Sequence, residues 1–138
     1  MAITGTEGAL LLVGRLLFGA VLSFMGLNHF QQREAMAGYA EHKGLPAPDL
    51  SVLASGVVLV AGGLSVVTGI YPVVGSIALA GFLLVAAVTM HDFWAVPEDQ
   101  QQDEMTQFLK NVAMAGGALI VAAVASQSWA YGVGLGIV

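Results

Sequence analysis

The longest charge-free stretch of the chain, residues 50–91, contains no Asp, Glu, Lys or Arg. About 20 residues cross the hydrocarbon core of a bilayer as a helix, so this stretch is long enough for two spans. Pro72 cannot continue a helix, and Gly69 is typical of a helix C-terminus. The sequence therefore predicts two membrane helices, at about 50–70 and about 73–93, joined by a tight turn.

Composition extends this prediction to the whole chain. Only 9% of the 138 residues are charged and the mean hydropathy is +0.83, whereas a soluble domain has about 25% charged residues. Two further apolar segments predict a first helix at about 5–29 and a fourth at about 104–127. The stretch "QQREAMAGYAEHK", residues 31–43, predicts a short interfacial helix between the first two. The expected fold is all-α: an antiparallel bundle of four transmembrane helices, with residues 1–138 as a single membrane domain.

An even number of spans places both termini and the turn between the second and third helices on one membrane face. The opposite face carries two longer loops, 30–49 and 94–103, which hold most of the charged residues. Cations near the span ends are enriched on the cytoplasmic side. Three such cations lie toward the loop face and one toward the termini, namely Arg33, Lys43 and Lys110 against Arg15. We therefore expect a multi-pass protein with cytoplasmic loops and both termini outside.

Composition also argues against several classes of function. The net charge of −5 is unsuited to nucleic acid, which requires basic patches. The chain has no cysteine, which excludes disulfides, thiolate metal sites and thiol redox chemistry. No residues have recognisable metal-ligand spacing, so no metal is expected.

Four polar residues are candidates for binding a ligand or a quinone: Arg15, His29, His91 and Asp92. Arg15 lies about seven residues inside the first span, roughly 10 Å deep. It is either a structural anchor that bonds free helix-end carbonyls or a direct ligand of an anion or a quinone oxygen. His29 and His91 end the first and third spans. They either bond free carbonyls there or line a shared polar pocket together with Asn28 and Asp92.

Other residues are predicted to hold the bundle together. Lys110 lies in the first turns of the fourth helix, where the helix dipole disfavours a cation, and Asp92 is its expected ion-pair partner. Small residues spaced three or four apart mark close helix packing in lipid. On this basis four residues are expected at helix contacts: Gly62, Gly63, Ala113 and Gly117.

The order of five short stretches, between about residues 9 and 126, resembles that of the DoxX family: "GRLLFGAVLSFMGLNHF", "GLPAP", "GGLSVVTGIYP", "HDFW" and "QFLKNVAMAGG". The resemblance implies a four-helix integral protein of the prokaryotic plasma membrane. It also implies a link to redox chemistry, since founding members are small membrane subunits in quinone-coupled sulfur oxidation and others hold soluble redox enzymes at the membrane. Many members carry a glutamate in the second helix, where this chain has Leu59. A mechanism that relies on that carboxylate is therefore not expected here.

The residues and the resemblance together predict a non-catalytic accessory protein or small subunit that scaffolds or assembles a membrane-associated redox complex. No nucleophile–base pair points to an enzyme. One alternative is a quinone-interacting subunit of a membrane oxidoreductase, and a second is a small-solute transporter. Quinone is the only cofactor considered. The expected partners are the lipid bilayer, other membrane or membrane-associated subunits, and further copies of the chain.

Overall fold

The computed structural model describes residues 1–136, which form four long helices and one short helix. The helices are α1 (Gly5–Gln31), α2 (Arg33–His42), α3 (Pro48–Thr68), α4 (Pro72–Met90) and α5 (Glu98–Val124). A single 3-10 turn, Phe93–Ala95, connects α4 to α5. Two-residue strands at the chain ends, β1 (Ala2–Ile3) and β2 (Ser128–Trp129), pair in parallel. The predicted all-α fold, with a short helix between the first two spans, is confirmed.

Four segments are long and apolar enough to cross a membrane: Gly5–Gln31, Pro48–Thr68, Pro72–Ala95 and Glu98–Val124. The largest difference from the sequence prediction is at the fourth, which begins at Glu98 rather than near residue 104. Glu98 and Asp99 lie in its first turn, where acidic side chains stabilise the positive end of the helix dipole. Most of the expected loop 94–103 is therefore the first part of α5.

The long helices pack in the spatial order α1, α3, α4, α5, each against the next. Both chain ends and the α3–α4 turn lie at one end of the bundle, which we call the termini end. There Val133 N donates to Thr68 O at 2.8 Å and Tyr71 N donates to Leu135 O at 2.8 Å. The segment after α5 thus crosses the turn between α3 and α4. The other end, with α2 and the α4–α5 connection, is called the loop end.

The contact between α1 and α3 depends on glycines from both helices. A Cβ atom added to Gly19 would lie 2.5 Å from Gly63 O, and one added to Gly26 would lie 2.8 Å from Gly56 O. Real Cβ atoms do not approach that closely, so the two backbones touch along this line. Ser23 Oγ also donates to Val60 O across the contact, at 3.2 Å. Close approach of this kind replaces the hydrophobic effect, which does not drive helices together in lipid.

The two adjacent glycines of α3 serve different neighbours. Gly63 contacts α1, whereas a Cβ on Gly62 would lie 2.6 Å from Leu79 Cγ on α4. Because successive residues are rotated by about 100° around a helix, a Gly-Gly pair lets α3 approach both neighbours at the same depth. Gly62 and Gly63 therefore both lie at helix contacts, as expected from the spacing of small residues in the sequence.

Small residues on α5 are divided between its inner and outer faces. Ala115 and Ala118 are buried, and a Cβ on Gly117 would lie 3.2 Å from the Phe18 ring. Ala113 is exposed, so its predicted role in packing within the bundle is wrong. Ala113 is two residues, about 200° of helical rotation, from the inward-facing Ala115.

The α1–α3 contact predicts a sharp difference between two glycine substitutions. Gly63→Ala is expected to lower the free energy of unfolding by about 1–3 kcal/mol, because its methyl group would overlap Ser23 and the Gly19 carbonyl. Gly81→Ala is the matched control, since a Cβ there meets nothing within 4 Å. Thermal unfolding in one detergent measures both. Equal unfolding temperatures for the two variants would contradict the close contact.

Candidate functional site

Arg15 lies inside the bundle at the termini end with 0% of its surface exposed. Its Nε donates to Val66 O at 2.9 Å, and one terminal nitrogen donates to Val67 O at 2.5 Å. These carbonyls belong to the last turn of α3, whose final carbonyls have no partner within the helix. The guanidinium also complements the negative end of the helix dipole. Arg15 is thus placed as the anchor for free carbonyls that the sequence suggested.

The same guanidinium contacts the segment that follows α5. Its carbon lies 4.7 Å from the centre of the Trp129 ring, within cation–π range, and its second terminal nitrogen is 3.5 Å from Ala130 O. Trp129 Nε1 in turn donates to Val124 O at 2.9 Å. Arg15 therefore joins α1, the end of α3 and the C-terminal segment. It is separated from His29 by fourteen residues, about 21 Å along α1, so the two do not share a site.

A cavity of about 600 Å³ lies at the loop end between α3 and α4, with α2 across its end. Its wall is mainly apolar, with residues such as Met25, Val52, Leu59, Phe82 and Met90. Val85 lines the cavity and is 61% exposed, so the cavity opens to the outside of the bundle beside α4. Val85 lies five residues before Met90, about 7.5 Å along the helix axis, so this opening is within the candidate span Pro72–Ala95.

Both predicted histidines line this cavity. His29 Nδ1 lies 2.8 Å from Met25 O, one turn earlier on α1. His91 Nδ1 lies 2.8 Å from Glu104 Oε2 on α5. The sequence offered two alternatives for these histidines: bonding free carbonyls at the helix ends, or lining a shared pocket. The two are compatible, because each ring uses one nitrogen for a protein contact and still contributes to the cavity wall. Asn28 and Asp92 are not part of the lining.

Two polar contacts hold α2 against the loop end of α4 and α5. The Tyr39 hydroxyl donates to Glu104 Oε1 at 2.9 Å, so that Glu104 joins Tyr39 to His91. Lys43 forms an ion pair with Asp92. We call these residues the α2 latch: Tyr39, Lys43, His91, Asp92 and Glu104. Tyr39 and His91 belong to both the latch and the cavity wall.

The predicted ion pair between Asp92 and Lys110 is wrong. Asp92 pairs with Lys43, and Lys110 is exposed on α5. Because α5 begins at Glu98, Lys110 lies more than three turns into the helix. The residue that meets Asp92 is instead Lys43, which directly follows the last residue of α2. The sequence predicted this segment as a helix without fixing which way its side chains point.

Burial and the latch contacts change the pKa values of Tyr39 and Lys43. Burial raises the pKa of the Tyr39 hydroxyl, and its hydrogen bond to Glu104 raises it further. Burial lowers the pKa of Lys43, but the hydrogen bond to Asp92 and the negative charges nearby outweigh burial and raise it overall. A raised lysine pKa means that the pair stabilises the fold fully between the ordinary pKa values of aspartate and lysine, about 3.9 and about 10.4, where both side chains are charged. This stabilisation is lost as the pH rises through the raised pKa of Lys43.

Sequence reasoning did not identify three latch residues: Tyr39, Lys43 and Glu104. Tyr39 lies on α2 and Lys43 is the helix C-cap four residues later, the spacing that places side chains on one helix face. That spacing was the available signal, and the Lys43 ammonium lies 5.6 Å from the centre of the Tyr39 ring. Glu104 carried no comparable signal, because an acid near the start of a helix is explained by the helix dipole alone.

The fold and the cavity define a small polytopic membrane protein with a mainly apolar, ligand-sized cavity at its loop end. Comparison with known families gives a more specific result: the DoxX profile matches residues 10–92, more than half of the chain, so this protein belongs to the DoxX family. The matched range includes all but one residue of the cavity lining, the exception being Asn111 on α5. No curated protein and no solved structure matches the chain.

The Arg15 contacts predict that Arg15→Lys destabilises the protein without weakening ligand binding at the loop end. A lysine ammonium lacks the planar fork that reaches two carbonyls while lying over Trp129. The expected loss is about 1.5–3 kcal/mol of unfolding free energy, measured by thermal or denaturant unfolding in detergent. Arg33→Lys, at an exposed ion pair with Asp49, is the control and should leave stability unchanged. Weakened ligand binding with unchanged stability would instead support Arg15 as a direct ligand.

The α2 latch predicts rescue by charge exchange. Lys43→Asp and Asp92→Lys should each speed amide hydrogen exchange in residues 33–43, and the double variant should restore part of the protection, because an opposite-charge pair forms again. Arg33→Ala removes the other, exposed ion pair of α2 and serves as the control. Lack of rescue, or an equal effect from Arg33→Ala, would count against the latch.

Proposed function

We propose that this DoxX-family membrane protein is a small subunit that binds a molecule of the membrane quinone pool, oxidised or reduced, at its loop end. The observation that carries the proposal is the cavity of about 600 Å³, whose apolar wall includes His29 and His91. Ligand sites in proteins are typically concave and apolar, with a few polar groups that fix orientation, and this volume is within their usual range.

The position of the cavity suits a ligand that arrives from the bilayer. Its opening beside Val85 is within the candidate span Pro72–Ala95, and α2 covers its end toward water. A quinone combines an apolar ring and chain with two polar oxygens, which matches an apolar wall with histidines near the interface. If the loops are cytoplasmic, as the distribution of cations predicts, the ligand enters from the inner leaflet.

In this proposal the protein binds the quinone, and no carboxylate within the bundle takes part in converting it. Leu59, at the position where many DoxX members carry a glutamate, lines the cavity and is 1% exposed. The cavity lining contains no Asp or Glu in the part of the chain that the structure describes. This composition supports a binding subunit whose electron-transfer partner is another protein.

A scaffolding or assembly role in a redox complex is the second candidate, and it is compatible with the first. The outer face of α5 favours it, since Ala113 is exposed and a Cβ on Gly116 would meet nothing within 4 Å. A transporter is less favoured. Five tightly buried apolar side chains belong to the core of the bundle, and two of them, Leu59 and Leu83, also line the cavity; the others are Leu22, Val66 and Leu79.

Filling the cavity tests the proposed function. Ala86→Phe places a ring in the cavity and should reduce binding of a short-chain benzoquinone by tenfold or more, measured by isothermal titration of the detergent-purified protein. Val88→Phe adds the same ring on the exposed face of α4, outside the lining, and should bind as the unmodified protein does. Absence of quinone and quinol binding in the unmodified protein, or equal binding by both variants, would refute the proposal.

A further inference from the structure

The polar side chains of the cavity have one property in common: all but one of them lie within hydrogen-bond distance of a protein oxygen. Seven side chains that carry hydrogen-bond donors line the cavity: His29, Tyr39, Ser51, Ser55, Thr89, His91 and Asn111. A donor that is already bonded to a protein oxygen is not available to a ligand. The donors that remain free therefore determine whether the cavity suits a ligand that accepts hydrogen bonds or one that donates them.

The three aliphatic hydroxyls all donate to backbone carbonyls. Ser51 Oγ donates to Pro46 O at 2.9 Å, Ser55 Oγ to Ser51 O at 2.6 Å, and Thr89 Oγ1 to Val85 O at 2.8 Å. A hydroxyl has one hydrogen and two acceptor lone pairs. Each of these oxygens therefore faces any further partner as an acceptor. The Tyr39 hydroxyl is engaged in the same way by Glu104.

The tautomers of the two histidines follow from their partners. A backbone carbonyl has no hydrogen to give, so His29 Nδ1, 2.8 Å from Met25 O, must carry the hydrogen of the neutral ring. Glu104 accepts from Tyr39 through one oxygen and lies 2.8 Å from His91 Nδ1 through the other. A carboxylate that already accepts from Tyr39 is an acceptor for His91 as well, which places the hydrogen of His91 on Nδ1.

In the neutral ring of each histidine, Nε2 is then a bare acceptor. Neither Nε2 has a hydrogen-bond partner within residues 1–136. The side-chain amide of Asn111 is the exception in the cavity wall, since an amide offers two hydrogens as well as an oxygen. Apart from Asn111, the wall offers acceptors and apolar surface.

From this distribution we infer that the cavity selects ligands whose polar end donates hydrogen bonds, a quinol or another phenolic hydroxyl, over the corresponding quinone or ketone. The inference rests on the proposed function and specifies which form of the ligand is held. A quinone brings only acceptor oxygens, which would lie against bare nitrogen lone pairs and leave them unpaired. A quinol brings two hydroxyl hydrogens to a wall with two free imidazole acceptors.

The energetic consequence is a preference of modest size. One hydrogen bond between neutral groups, compared with an unpaired acceptor in an apolar site, corresponds to about a tenfold difference in affinity. The preference is carried by His29 and His91, so their replacement should abolish it while the apolar contacts remain. Replacing Asn111 removes the free donor and should increase the preference.

A redox-inert pair of ligands gives the cleanest test. 4-Octylphenol and its methyl ether have the same ring and chain, and only the phenol has a hydrogen to donate. Their dissociation constants for the detergent-purified protein at pH 8, each corrected for partition into empty micelles, should differ by about tenfold in favour of the phenol. Duroquinol and duroquinone, compared without oxygen, should differ in the same direction.

Two variants assign the preference to particular residues. His29→Leu removes one of the two Nε2 acceptors together with a ring that bonds only its own helix, and it should lower the ratio of phenol to ether affinity. Asn111→Leu removes the free donor of the wall and should weaken binding of duroquinone more than binding of the phenol. Asn28→Leu, beside His29 but outside the lining, is the matched control and should leave both affinities unchanged. If His29→Leu does not fold, the selectivity of the unmodified protein and of Asn111→Leu still tests the inference.

The outcomes separate the inference from the proposed function. A phenol preference that is reduced in His29→Leu and kept in Asn28→Leu supports the inference. Equal affinity for phenol and ether, tighter binding of duroquinone, an unchanged preference in His29→Leu, or a greater loss of phenol than of duroquinone binding in Asn111→Leu would overturn it while leaving a quinone-binding subunit in place. Failure of every one of these ligands to bind would overturn the proposed function and the inference together.

Discussion

The bonds from the Arg15 guanidinium to the carbonyls at the end of α3 are the interaction on which the termini end of the bundle depends. A helix that ends inside or near a bilayer leaves carbonyls that neither its own backbone nor water can satisfy. Arg15 satisfies two of them, at Val66 and Val67, and lies over Trp129 of the segment that follows α5. One buried cation therefore joins α1, α3 and the C-terminal segment, and no acidic side chain within residues 1–136 forms an ion pair with it.

The two ends of the bundle differ because this anchoring is confined to one of them. Near the termini end, small residues bring the backbones together, with Gly62 against Leu79 and Gly75 against Ser65. Toward the loop end the facing residues of α3 and α4 line a cavity instead, and α2 covers it through the latch. The termini end is closely packed, whereas the loop end contains the cavity. This separation explains why Arg15 and His29, although both on α1, have different surroundings.

Much of this arrangement could be predicted from the sequence. The charge-free stretch and its Gly-Pro break predict α3 and α4, and the DoxX resemblance, confirmed over residues 10–92, agrees with the four-helix fold. The sequence also indicated the acceptors of Arg15, because antiparallel spans place the end of the second span beside it. It did not predict the partner of Asp92, since a contact between α2 and the end of α4 depends on the rotation of a short helix about its axis. On α5, the sequence likewise did not show which small residues face the bundle: Ala115 is buried, whereas Ala113 is exposed.

By itself the sequence determined the number of spans, their antiparallel order and the presence of a buried arginine near one end, because these follow from hydrophobic length and from helix polarity. Only the tertiary structure decided that His29 and His91 line one cavity, that Glu104 links Tyr39 to His91, and that nearly every hydroxyl in the cavity already donates to a protein oxygen. The physical reason is that hydrophobic patterning is read along one helix at a time. A cavity and the direction of its hydrogen bonds arise from side chains of several helices, whose rotations are set by their packing against one another.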